Sequence, residues 1–221
     1  MRELTMSNCK MGLAFLSLLV SLSSLHASSI EQLAKEGEAA FYHENYIEAR
    51  KALIPASQQG SVQSLYYLGI MNLRGFGTPA NFKEALRMFK IGAQKNHPDS
   101  QVALGVLMIE GIGTPQNHKE ASRLFKIAAK NGNSDAQLIL GWLYKNGVGV
   151  KTNNTLAYAL WNYVAAQGSD WARVSRDAMY YELTEAELYR GQELSSNLPK
   201  LWKTVASENS RTNKPLLKRR S

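Results

Sequence analysis

Residues 75–85 read GFGTPANFKEA, and residues 111–121 read GIGTPQNHKEA. Glycine-rich runs of this kind either cradle a phosphate or turn the chain. A phosphate loop needs the pattern G-x-x-x-x-G-K-[ST] between a strand and a helix. Neither run has that lysine, and each follows a stretch of helical period, so both read as turns between helices.

The repetition extends well beyond the turns. Leu68-Gly69, Leu104-Gly105 and Leu140-Gly141 recur every 36 residues, as do the pairs Gly75 and Gly77, Gly111 and Gly113, and Gly147 and Gly149. Phe89, Phe125 and Trp161 share that register, followed by Ala93, Ala129 and Ala165 and then by Asn96, Gly132 and Gly168. A fixed period of this length marks stacked supersecondary units. In each unit the first segment presents one apolar face, as at Ser64, Leu68, Met71 and Asn72, or Ala136, Leu140, Leu143 and Tyr144. The second presents Ala85, Met88, Phe89 and Gly92, or Ala121, Leu124, Phe125 and Ala128, also at helical spacing. Glycine inside a helix costs up to about 1 kcal/mol against alanine. One that recurs beside leucine therefore predicts a very close helix–helix approach. Asn81 and Asn117 are expected to cap the second helices, with Glu84 and Glu120 completing a capping box.

A small residue, Leu-Gly four positions on, an aromatic, Gly-x-Gly, a cap and then Ala, aromatic, Ala-Ala and Gly: this order resembles the Sel1-like repeat. The third unit, AQLILGWLYKNGVGVKTNNTLAYALWNYVAAQG, carries it most fully, although Asn153 stands where aspartate is common. Asn72 and Met108 replace an aromatic that Tyr144 keeps. The resemblance implies an all-α, right-handed α-solenoid of helix-turn-helix units, similar to tetratricopeptide arrays. It also implies an adaptor, scaffold or regulator of other proteins. Many bacterial members are exported, and some take part in contact with host cells. One branch with disulfide-bridged repeats has been linked to β-lactam binding; its cysteines are missing here.

The expected organisation is a signal peptide over 1–27, a tetratricopeptide-like helix pair over 30–60 and three 36-residue repeats over 61–168. Capping helices over 169–206 and a basic, disordered tail over 207–221 complete it. Arg2 and Lys10 precede the apolar run Met11 to Leu25, and small residues follow, so cleavage is expected after Ala27. The run is too short and too serine-rich for a spanning helix, so the mature form is expected to have no transmembrane span. Cys9 is the only cysteine and lies ahead of that run. A mature chain therefore has neither disulfides nor thiol chemistry. This suits an exported protein, periplasmic or secreted from a bacterial envelope, held together by packing alone. The formal charge is +8, of which the segment Ser207 to Ser221 supplies +4, so the basic character argues little for nucleic acid.

Chemistry-bearing patterns are sparse. His43 and His97 fall at turns and His118 opens a helix, with no second ligand on one face, so no metal or cofactor is expected. No G-x-S-x-G or S-x-x-K motif occurs near a plausible base. A cell-envelope hydrolase is the third-ranked reading, and no catalytic residue is assigned. Lys83, Arg87 and Lys90, repeated as Lys119, Arg123 and Lys126, form a basic stripe. It is either a solvated outer face or a dock for an anionic surface. The leading reading is a protein or peptide partner held along the first helices. There the positions not spent on the repeat core include Tyr67, Ile70, Arg74, Val106, Glu110, Ile139 and Trp142. The export reading is checked by N-terminal sequencing of the protein purified from envelope or medium. A start at or near Ser28 is expected, and an intact Met1 terminus in the cytoplasm overturns it.

Overall fold

The computed structural model of the chain describes residues 29–212, with side chains through Lys200. The proposed signal segment lies outside the described residues, as does the tail beyond Thr212. The described residues form ten helices and no strand. Helix α1 spans 29–42, followed by α2 (Tyr46–Gln58), α3 (Val62–Arg74), α4 (Phe82–Gln94) and α5 (Pro98–Glu110). Then come α6 (His118–Lys130), α7 (Ser134–Asn146), α8 (Asn154–Ala165), α9 (Asp170–Tyr180) and α10 (Glu185–Thr212). They fall into two compact units that divide between Gly92 and Ala93.

Each unit has its own core. In the first, Ala49, Leu53, Leu68, Met71 and Met88 are buried together. In the second, Ala121, Phe125, Ala128, Leu140, Leu143 and Leu160 are buried with Leu198 of α10, and a further group joins Ala157, Tyr158, Trp161 and Met179. The close approach expected at the Leu-Gly pairs has a definite form. A Cβ at Gly105 would lie 2.7 Å from Cζ of Phe125, one at Gly69 2.5 Å from Phe89, and one at Gly141 would clash with Nε1 of Trp161. In every repeat, then, the aromatic of the second helix packs directly against the glycine of the first.

Left-handed glycines close the turns. Gly75, Gly111 and Gly147 end their helices in the left-handed region, with φ of 74°, 72° and 70°. A left-handed C-terminal residue is where glycine has no steric penalty. Two residues on, Gly149 packs against the start of α6 so tightly that a Cβ would clash with the His118 carbonyl.

The caps differ from the expected boxes. Asn81, Asn117 and Asn153 each accept the backbone N–H three residues on, at 3.0, 3.0 and 2.9 Å. Glu84 and Glu120 do not reach back to the cap. Their carboxylates hold Arg87 and Arg123, and the cap N–H groups donate instead to Asn72 O and Met108 O of the preceding helix. Among the described residues a full reciprocal box forms only at Thr184 and Glu187, where Thr184 N donates to Glu187 Oε2 at 3.0 Å and Glu187 N to Thr184 Oγ1 at 3.3 Å. Helix α10 runs to Thr212, past Ser207, where a disordered tail was expected to start.

The first helices carry a second ladder of caps. Ser61, His97, Asn133 and Ser169, again 36 residues apart, accept N–H groups from Ser64, Ser100, Ala136 and Ala172. His97 is the odd member. Its Nδ1 must stay unprotonated to accept, and burial holds its pKa below the usual histidine range, opposed by Asp99.

Two outcomes follow. Gly105→Leu forces the Phe125 ring off its seat and is expected to cost about 1–3 kcal/mol. At this size that is a fall of about 2–4 °C in Tm per kcal/mol; an unchanged Tm shows that the ring has room to move. For His97, the unfolded chain takes up a proton that the folded chain resists. Stability is therefore complete above about pH 6.5 and declines as pH falls through the depressed folded pKa. Melts of wild type and His97→Asn between pH 7.5 and 5 are expected to diverge towards acid, with the asparagine variant less sensitive. Parallel curves remove His97 from the acid response.

Candidate functional site

The second unit contains an apolar groove of about 500 Å³. Helix α5 contributes Val102, Val106, Ile109 and Glu110; α7 contributes Asp135, Leu138, Ile139 and Trp142. Trp171 of α9 closes one side, and Phe125 of α6 lies at the base. Val106 and Trp142 stay 39% and 42% exposed, and Trp171 53%, so among the described residues large apolar surface is left uncovered here. Its placement follows from the repeat. Leu104, Leu107, Leu140 and Leu143 on the opposite sides of α5 and α7 are spent on the core. That leaves 106, 110, 139 and 142 on the free face at helical spacing.

Of the residues expected on a partner groove, Val106, Glu110, Ile139 and Trp142 meet here. Tyr67 does not belong to an exposed surface. It is 4% exposed in the first unit, its hydroxyl donates to Glu38 Oε1, and it contacts the Tyr42 hydroxyl at 3.2 Å. Burial, then the Glu38 hydrogen bond, pushes its pKa well above the usual tyrosine range. The reason is α1, which contributes Phe41 and Tyr42 to an aromatic cluster over Tyr67. Ile70 is half-buried and Arg74 exposed, both in that first unit. Sequence reading missed Val102, Ile109, Asp135, Leu138 and Trp171. Trp171 falls within the capping helices expected over 169–206, yet it stands 36 residues after Asp135, in the same register one repeat on.

The basic stripe is partly neutralised in place. Arg87 grips Glu84 with two hydrogen bonds of 2.9 and 2.7 Å, and Arg123 grips Glu120 with two of 2.8 and 2.6 Å. The guanidinium in each pair holds the glutamate below the usual carboxylate range. Lys126 Nζ sits 5.5 Å from the centre of the Tyr144 ring. Lys83, Lys90 and Lys119 are exposed. A smaller polar depression of about 390 Å³ joins Lys119, Arg123 and Lys126 to Gly149. Among the described residues no three His, Cys, Asp or Glu side chains gather as a metal site, and no helix is long and apolar enough to cross a membrane.

Comparison with known proteins places this geometry. The Sel1 repeat model matches residues 62–97, 98–133 and 134–169. A search of curated protein sequences finds no match. Among solved structures, the chain is similar to a protective antigen present in uropathogenic Escherichia coli strains that displays an SLR fold. The identity is 22% and the TM-score 0.65, over 79% of this chain and 37% of the other. It is also similar to a Sel1 repeat protein from Oxalobacter formigenes, with 28% identity and a TM-score of 0.58 over 71% of this chain and 65% of that one. The chain thus spans less than two thirds of either structure. With residues 62–169 matched as three repeats and a fold shared with these neighbours, the chain carries a three-unit Sel1-repeat array.

Proposed function

We propose that this chain is an exported, non-catalytic adaptor or scaffold, working in the bacterial envelope or outside it, and that it grips a segment of a partner protein in the α5–α7–α9 groove. Sel1 repeats generally mediate protein interactions. The observation that carries the reading to a site is Trp142. It is a large aromatic, 42% exposed, at the centre of an apolar groove of about 500 Å³. Binding energy concentrates in such aromatic anchors. Export rests on the charged-apolar-small order of residues 1–27. Docking of the stripe on an anionic surface is the second reading. The polar depression at Lys119, Arg123 and Lys126 favours it, and the Arg87–Glu84 and Arg123–Glu120 pairs weaken it.

Trp142→Ala tests the groove. Loss of about 2 kcal/mol at an interface anchor weakens binding roughly 30-fold. Removal of a core tryptophan instead costs about 3–5 kcal/mol of stability. A partner captured by the wild-type chain from envelope extract, then titrated against both forms beside thermal melts, is expected to lose affinity while Tm stays near wild type. A large fall in Tm returns Trp142 to the core, and unchanged affinity removes it from the site. Loss of binding confined to a Lys83/Arg87/Lys119/Arg123 quadruple variant moves the function to the anionic-surface reading.

A further inference from the structure

Resting on the groove reading above, we infer that the occupant is a cationic peptide: an apolar stretch with a lysine or arginine at each end, about five residues of extended chain apart. The argument begins with the two charges that line the groove. Both are carboxylates, Glu110 and Asp135, and among the described residues no lysine, arginine or histidine lines it.

Neither carboxylate has a hydrogen-bonding or ion-pair partner among the described residues. This contrasts with their neighbours. Glu120, Asp170 and Asp177 each hold an arginine, and Glu182 holds Lys145. Glu110 is the more telling of the two. It is the last residue of α5, where the helix dipole presents its negative end, and an acid there is disfavoured while a base is favoured. At the equivalent position α3 has Arg74 and α7 has Asn146. Glu110 therefore works against its own helix, and a cation delivered by a ligand would relieve both the carboxylate and the helix end.

Spacing sets the length of the ligand. The turns at 111–117 and 131–133 are short, so neighbouring helices run antiparallel and α5 and α7 run the same way. Asp135 is the second residue of α7, and Glu110 closes α5 at the other end of the groove. At about 1.5 Å rise per residue the two carboxylates stand roughly 16 Å apart along the helix axes. An extended peptide covers that distance in about five residues. Val106, Ile139 and Trp142 lie between them and take the apolar side chains. The faces of Trp142 and Trp171 add cation–π attraction for a lysine or arginine stem passing over them.

The test is calorimetric titration of the full chain with three sets of capped synthetic hexapeptides. Each has four central residues drawn from leucine, isoleucine, valine and serine. The end residues are both lysine, both glutamine or both glutamate. The lysine set is expected to bind best, more weakly at high salt, and to lose about 2- to 5-fold for each of Glu110→Gln and Asp135→Asn, as an exposed charge pair contributes. The Glu110→Gln chain is expected to melt no lower than wild type, so lost affinity cannot be lost fold. Equal binding of the three sets, abolished by Trp142→Ala, overturns the cation preference and leaves the groove standing. Binding of none of them overturns the cationic-peptide proposal and counts against the groove as a short-peptide site. Lysine-set binding unaffected by either carboxylate variant also overturns the preference.

Discussion

A side chain of zero size, placed under a ring, holds each helical hairpin together. Where Gly69, Gly105 and Gly141 face Phe89, Phe125 and Trp161, a single added methyl would sit inside the van der Waals envelope of the ring. The helices can approach only because glycine is there, and they stay because the ring then makes dense dispersion contacts on backbone. The same device appears in other forms: Gly37 lies against Leu53, and Gly191 of α10 lies against Tyr158 of α8. The penalty for glycine within a helix is thus offset by burial of the largest side chain in the opposite helix.

Once the hairpins are that close, the turns have little freedom. The left-handed glycine ends the first helix, and the cap N–H of the second donates back to a carbonyl near the end of the first, as Asn81 does to Asn72 and Asn117 to Met108. That bond displaces the glutamate from the capping box. The freed carboxylate then takes an arginine one turn along, which removes charge from the stripe that otherwise reads as a cationic surface. Local packing, not the count of basic residues, determines how much of that charge is available to a partner.

Spending leucines on the core leaves one face of α5 and α7 unspent, and α9 supplies the tryptophan that turns this face into a groove. Because the repeats are offset copies, a position that is acidic in α7 becomes aromatic in α9, at Asp135 and Trp171. The array therefore varies its surface while holding its interior constant, and recognition can change without disturbing the fold.

The period of 36, the helix pairs, the turns at Gly-x-Gly and the close approach at Leu-Gly were all legible in the residues. They are local consequences of propensity and spacing repeated three times. Four of the ten groove residues were legible for the same reason: Val106, Glu110, Ile139 and Trp142 sit where the repeat core does not need them. The rest depended on what neighbouring elements do. Tyr67 occupies an outward register position, yet α1 brings Phe41, Tyr42 and Glu38 over it and takes it into the core. Trp171 belongs to a helix with no full repeat signature, and only packing of α9 on α8 brings it to the groove. The paired or unpaired state of Glu84, Glu120, Glu110 and Asp135 was equally invisible in the chain. A periodic pattern specifies which face of each helix is buried; which element covers the other face, and which charge finds a partner, is decided only when the helices meet.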